Sequence, residues 1–333
     1  MTSQPRGRKL NVLLSSAGRR VELLQCLRAD LQELRVAGEI IAVDASPLTA
    51  AGQLADRLIR VPVISHPLFL TTITEIVSEQ QIGLVVPTID TELDLYAEAA
   101  PELRQKGCHV LVSGPATVSI ANDKRATHDH LVGHGLPCPA QWTADVAASR
   151  ADDLPYPLFV KPRRGSSSKG VRLVENASEL RDAVREPGRV VETVAPGDEF
   201  TVDAWVNQSG DVLSVVPRRR IEVRAGEVSK GITARHPQVE AISRAVASTL
   251  PDAYGPLTIQ VFADHDSVQV IEINARLGGG YPLSWCAGSR TLRWGILDAL
   301  GSVSRPGTLP WEADLIMLRY DQSVFLPASS ASS

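Results

Sequence analysis

Residues 271–280 read IEINARLGGG. The run predicts a short strand that ends in a glycine turn. Alternate side chains of a strand share a face, which sends Glu272, Asn274 and Arg276 one way and Ile271 and Ile273 into a core. A carboxylate, an amide oxygen and a guanidinium on one face suit Mg²⁺ and phosphate. Magnesium takes hard oxygen ligands, usually one or two carboxylates together with substrate phosphates. A surface strand with an incidental polar face reads the same way in isolation, so the surroundings decide. Immediately upstream, residues 257–263 and 268–274 predict a hairpin around His265, Asp266 and Ser267. A three-residue loop puts Gln260 opposite Glu272 on the same face, and an even count turns it away. The metal set Gln260, Glu272 and Asn274 therefore depends on register.

Further upstream, residues 189–194 (RVVETV) predict a strand, followed by APGDEFTVDAWV. Glu192 and Glu199 sit at strand edges among apolar residues, where a bare carboxylate is expensive. Two uses are open to them: hydrogen bonds to a base and a ribose, or salt bridges to nearby arginines. Residues 200–206 and 212–219 make a hairpin around Ser209 and Gly210, ending in Arg218, Arg219 and Arg220. Alternation sends Arg218 and Arg220 to one face. A substrate anion and a solvated sheet edge both fit them. Residues 163–172 (RRGSSSKGVR) bring glycines and small residues that let backbone N–H groups approach phosphate, though without the Lys-Ser pair of a P-loop. A flexible hairpin tip is the alternative. Lys161 ends the strand before this loop. Lys124 opens a predicted helix over 122–134, where the helix dipole gives a cation no advantage. Residues 237–250 and 292–300 predict further helices.

Residues 10–112 alternate apolar strands (10–15, 39–44, 58–61, 83–87, 108–112) with helical patterns, including 67–79 and 92–106. This implies a doubly wound parallel sheet. Ligands of such sheets sit beyond the strand carboxyl ends, which points to residues 15–20, 44–47 and 87–92. The first turn offers only Gly18 where a nicotinamide fold wants G-x-G-x-x-G. Arg19 and Arg20 there either bind an anionic substrate group or are solvated. A hydrophobic share of 44% over 333 residues supports one large or two to three modest domains. A net charge of −4 gives no field drawing the chain to nucleic acid or anionic membrane. No apolar run has the length of a membrane span, and the first residues lack a signal core. Four scattered cysteines, Cys26, Cys108, Cys138 and Cys286, fit reduced thiols in a cytosol. His130 and His134 have helical metal spacing, but no further ligand lies near them for zinc.

The ordered set is a doubly wound domain, a helix with lysine, a strand with lysine, a small-residue loop, E-x-x-x-P-G-x-E-F-T-V-D, a strand with Gln and a strand with E-x-N-x-R. It resembles the ATP-grasp superfamily, and most of all one synthetase half of the carbamoyl-phosphate synthase large subunit. The resemblance covers about residues 10–300. It implies an α/β chain: a doubly wound pre-ATP-grasp domain (1–113), then a two-subdomain α+β ATP-grasp fold (114–195 with the phosphate lid, 196–333 with the metal site). Lys124 and Lys161 are then ATP-phosphate ligands, with Ser166, Ser167 and Ser168 in the covering loop. Glu192, Thr193 and Ala195 meet adenine and Glu199 the ribose. Gln260, Glu272 and Asn274 hold one or two Mg²⁺, or Mn²⁺. Arg276 and Lys161 serve catalysis, and Arg19, Arg218, Arg220, Gly279, Gly280 and Tyr281 face substrate. The implied reaction is ADP-forming ligation of a small carboxylate to an amine through an acyl phosphate. Carboxyphosphate formation, a small-molecule kinase and a non-catalytic nucleotide binder are the alternatives. The implied setting is cytoplasmic, and a homodimer is common among such relatives. The synthetase has two such halves and this chain one, which argues against complete carbamoyl phosphate synthesis. Amino-acid ligases of the superfamily often place arginine two residues before the first metal ligand, where this chain has Thr258.

Overall fold

The computed structural model describes residues 9–165, 170–224, 226–302 and 309–328. Strand and helix alternate through β1 (Asn11–Ser15), α1 (Val21–Glu33), β2 (Ile40–Asp44), α2 (Ala50–Leu54), β3 (Arg57–Arg60), α3 (Phe69–Glu79), β4 (Ile82–Val86), α4 (Leu93–Gln105) and β5 (His109–Val110). The five strands pair in parallel in the order β3-β2-β1-β4-β5. Every residue of β1, NVLLS, is buried, as a strand covered by helices on both faces requires. The order reverses between β1 and β4. The crevice beyond their carboxyl ends is therefore bounded by two of the flagged loops, residues 15–20 and 87–92.

Two helices, α5 (Pro115–Ala121) and α6 (Lys124–Gly133), lead into a second sheet of order β6-β9-β7-β8. Its strands are β6 (Gln141–Thr143), β7 (Leu158–Pro162), β8 (Arg172–Val174) and β9 (Arg189–Thr193). With α7 (Ala144–Ser149) and α8 (Ala177–Ala183) it closes a small core of its own around Leu158, Val160, Leu180 and Val191.

The third sheet has the order β14-β13-β10-β11-β12-β15. It comprises β10 (Asp198–Val206), β11 (Val212–Arg224), β12 (Glu227–Thr233), β13 (Gly255–Ala263), β14 (Val268–Asn274) and β15 (Ile316–Leu318). One face is covered by α9 (Pro237–Thr249), whose Val239, Ile242 and Val246 join a core continuous with that of the first sheet. The chain then returns through α10 (Tyr281–Cys286) and α11 (Leu292–Ala299) to α1, where Trp285 and Arg293 hydrogen-bond Asp30 at 2.9 and 2.7 Å. Among the described residues no helix is long and apolar enough to cross a membrane.

Gln260 stands opposite Glu272, and Thr258 opposite Asn274, as the metal set requires. The route differs from the expected one. Ala263 pairs with Val268, so the loop is residues 264–267, four residues and not three. That even count alone turns Gln260 away. An extra residue, Ile271, bulges between the Val261–Val270 and Gln260–Glu272 pairs and restores the register. Ile271 is consequently only half-buried, while Ile273 is in the core.

The short elements β6, β8, α2, α5, α7 and α8, like β12, β15 and α10, have no counterpart among those expected from the sequence, and β11 runs past its expected end at residue 219. β12 reads EVSKGIT, with a glycine and few apolar residues, and is held by pairing to β11 through two register shifts. Its structure comes from that partner and not from its own propensity.

Candidate active site

Strand alternation collects polar side chains on the sheet face opposite α9: Glu199, Thr201 and Asp203 of β10, Arg218 and Arg220 of β11, Thr258 and Gln260 of β13, and Glu272 and Asn274 of β14. A cavity on this face is lined by Thr201, Arg218, Arg220, Thr258, Gln260, Glu272, Asn274 and Arg276, together with Arg20, Glu227 and glycines 278–280.

The three expected metal ligands meet here. Glu272 accepts a hydrogen bond from no described residue. Burial pushes its carboxyl above the usual carboxylate range; nearby Asp90 adds to this, while Lys124, Lys161 and Arg276 oppose it. Glu272 is half-buried and faces the cavity, and a carboxylate held there without donors favours a neighbouring cation. One carboxylate and two amide oxygens form a hard donor set that fits Mg²⁺ taking its other ligands from phosphate and water. Among the described residues no three His, Cys, Asp or Glu converge on a cation site.

Across the cleft, Lys161 of β7 and Glu192 of β9 form a buried ion pair at 2.5 Å, and Gln141 Nε2 of β6 donates to Glu192 at 2.9 Å. Lys124 Nζ donates to the carbonyl of Gly165 at 2.8 Å. Asp123 caps α6 through the N–H groups of Arg125 and Ala126, and also receives Arg163 Nε at 2.8 Å. Gly165 and Gly170 hold positive φ values of 118° and 72°, the conformations glycine supplies at tight turns. Ser166, Ser167 and Ser168, expected at phosphate, lie outside the described residues. Thr193 ends β9 and Ala195 follows it, both half-buried. Glu199 is ion-paired with Arg220, whose Nη2 also donates to the Gly226 carbonyl at 3.0 Å. Of the two uses left open, Glu199 makes the salt bridge to an arginine, while Glu192 pairs with a lysine and a glutamine.

The first domain enters the site through its two loops. Glu92 is fully buried and ties them together: Oε2 accepts from Ser15 Oγ and Ser16 Oγ, both at 2.7 Å, and Oε1 from the N–H groups of Thr88 and Ile89 at 2.7 and 3.2 Å. The loop so fixed presents Asp90, whose Oδ2 receives Arg276 Nη2 at 2.7 Å. Arg20 lines the cavity and donates through Nη2 to the Thr88 carbonyl at 3.1 Å.

Two expected substrate contacts are corrected. Arg19 is exposed and lies 4.0 Å from Glu227, the solvated alternative, while Arg20 at the start of α1 lines the cavity. Tyr281 is fully buried in the core beside α11, where its hydroxyl accepts from the Leu292 N–H at 3.0 Å. Gly279 and Gly280 do line the cavity. Arg218 and Arg220 line it too, but each is matched to an acid of the same sheet face.

Three acids escaped the sequence reading. Asp203 was readable, since it continues the Glu199–Thr201 alternation along β10. Its Oδ2 and Oδ1 receive Arg218 Nε and Nη2 at 2.7 and 3.0 Å, and Ser284 Oγ donates to it at 2.6 Å. Asp90 lay in a flagged loop, though nothing set it apart there. Glu227 had no signal, because β12 itself had none. Asp203→Ala strands a fully buried guanidinium. Breaking such a pair costs about 3–5 kcal/mol. The melting temperature therefore falls by roughly 10 °C. A thermal melt within about 2 °C of the parent contradicts the pairing, being under 1 kcal/mol in a chain of this size.

Residues 12–111 match the family described as PylC-like, N-terminal domain, and residues 121–280 the one described as ATP-grasp domain. The carbamoyl phosphate synthase large chain of Beutenbergia cavernae is 26% identical over 326 residues, covering 84% of this chain and 28% of that protein. The 3-methyl-D-ornithine--L-lysine ligase of Methanosarcina mazei is 23% identical over 262 residues, covering 78% of this chain and 64% of that protein. The chain thus spans less than two thirds of either relative. In fold it is similar to the biotin carboxylase domain of Hydrogenobacter thermophilus 2-oxoglutarate carboxylase, solved with MgADP and bicarbonate. The TM-score is 0.72 at 16% identity, over 90% of this chain and 72% of that one. The chain thus carries a PylC-like domain, over residues 12–111, ahead of an ATP-grasp domain, over residues 121–280.

Proposed function

We propose that this protein is an ATP- and Mg²⁺-dependent carboxylate–amine ligase that works through an acyl phosphate and releases ADP and phosphate. The observation that carries the reading is one cavity holding Gln260, Glu272, Asn274 and Arg276 within the field of Lys124 and Lys161. A carboxylate oxygen attacks the γ-phosphorus, the β–γ bridging P–O bond breaks, and ADP leaves. An amine then attacks the acyl carbon, the C–O bond to phosphate breaks, and the amine gives up a proton. Lys161 and Lys124 hold the phosphates from the small-subdomain side, and Arg276 meets the charge on the transferred group. Glu272, Gln260 and Asn274 would hold Mg²⁺, which neutralises phosphate charge. No activated nucleophile is required of the protein, whose part is positioning and electrostatics. The relatives support the acceptor class: the archaeal one is named as a ligase joining two amino acids.

The test is a screen of amino acids and small acids for ADP release, with and without amines. ADP and phosphate formed only when acid and amine are both present support the ligase. A phosphorylated product that survives makes the enzyme a kinase instead. Lys161→Met joined to Glu192→Gln strands no charge and stays folded. It lowers kcat/KM for ATP about 10- to 100-fold, the effect of losing a charge-assisted contact of about 1.5–3 kcal/mol. Unaltered kinetics remove Lys161 from the site.

A further inference from the structure

Four guanidinium groups reach the cavity: Arg20, Arg218, Arg220 and Arg276. Arg218, Arg220 and Arg276 each have a carboxylate: Asp203, Glu199 and Asp90. Arg20 has none within 4.0 Å among the described residues, and its hydrogen bond goes to the neutral Thr88 carbonyl. Burial, and then the repulsion of Arg276, hold its guanidinium below the usual arginine range. Arg218 is 1% exposed, yet its Nη1 bonds no described residue, since Asp203 takes only Nε and Nη2.

These two groups meet the same stretch of bare backbone. A Cβ on Gly279 would lie 2.9 Å from Arg20 Nη1, and one on Gly280 would lie 2.2 Å from Arg218 Nη1. Neither glycine has a positive φ. They lie in the turn that leads into α10, and their lack of a side chain lets both guanidinium groups approach the backbone closely.

We propose that Arg20 and Arg218, converging over Gly279 and Gly280, form a second anion subsite that takes a substrate carboxylate other than the one ATP activates. This rests on the ligase reading and sharpens it, because at least one of the two joined substrates then carries a carboxylate that does not react. Glu227 sets the charge of the ligand. Its Oε2 is 3.6 Å from the same Gly279 Cβ position, and it is already engaged by Arg319 at 3.2 Å. An acid this close disfavours a phosphate dianion relative to a singly charged carboxylate.

Thermal melts at low salt decide it, with and without MgADP, against propionate, glutarate, lysine and inorganic phosphate. Glutarate or lysine raises the melting temperature by about 2–5 °C at tenfold excess over its Kd. A response to glutarate assigns the subsite to the activated acid, and one to lysine assigns it to the amine-bearing substrate. Arg20→Met removes the response, and so does Gly279→Ala, which fills the floor without changing charge. Both variants keep the MgADP shift, which reports their folding. The proposal is overturned if both variants respond like the parent, if phosphate shifts the parent more than glutarate and lysine do, or if neither of those two exceeds propionate. Absence of any MgADP shift in the parent instead counts against the nucleotide reading, and the nucleotide-free arms still decide the subsite.

Discussion

Glu272→Ala abolishes ATP turnover, by about 10³-fold or more, in a protein that remains folded. The size follows from what Glu272 is asked to hold. Positive charge on the transferring phosphoryl group supplies several kcal/mol of transition-state stabilisation, and each 1.36 kcal/mol is a factor of about ten. The amides of Gln260 and Asn274 are neutral, so Glu272 is the one formal negative charge in the donor set. Its removal takes away the charge that favours a divalent cation over water. The fold survives because Glu272 has no hydrogen bond to lose among the described residues. Its folded-state pKa is raised by burial, so the ionised form, dominant above the unfolded pKa, works against folding at neutral pH and ceases to do so in acid. Glu272→Gln therefore makes the nucleotide-free protein more stable at pH 7 by a few °C, and the gain shrinks as pH falls toward the ordinary carboxylate range. Coupled ADP-release assays and melts at two pH values check both halves. Turnover that persists in either variant ends the metal assignment; a melting temperature that falls in Glu272→Gln means that the carboxylate is doing structural work.

The parts that could be read from the sequence were those that follow a local period. Buried β1 and its alternating partners announced the parallel sheet, and a two-residue alternation placed Gln260, Glu272 and Asn274 on one face. Even there the local argument reached its result through the wrong loop, and a bulge at Ile271 made up the difference. A bulge depends on how two strands twist against each other, which no single-strand pattern encodes. The parts that could not be read are pairings between distant segments. Asp90 and Arg276 are 186 residues apart, and neither has a neighbour in sequence that names the other. Arg19 and Arg20 are indistinguishable as adjacent letters; only the start of α1 decides which turns inward.

Arg276→Ala lowers kcat by about 10²–10³-fold, the range for removing one donor aimed at developing charge. Asp90→Ala lowers it about tenfold through Arg276 alone, and the double variant is no slower than Arg276→Ala. The geometry sets this order. Arg276 Nη2 reaches Asp90 Oδ2 at 2.7 Å and Asn274 Oδ1 at 3.4 Å, so the guanidinium is steered from the first domain and from the metal strand at once. Arg276 Nε and Asp90 Oδ1 are buried without a hydrogen-bond partner among the described residues, so the pair has unused capacity for a ligand. An incoming phosphoryl group competes with Asp90 for the same charge, and Asp90 fixes where that charge waits. Loss of the carboxylate lets the guanidinium move, which affects the chemical step more than ATP binding; the KM for ATP stays within about twofold, as expected when an interaction acts in the transition state. A double-mutant cycle on kcat gives the coupling directly. If the two losses add, or if Asp90→Ala raises the KM for ATP as much as it lowers kcat, Asp90 props the loop and does not position Arg276. The Glu92 anchor provides the internal control, because a collapsed 87–92 loop would lower the melting temperature further than loss of the Asp90–Arg276 pair alone does.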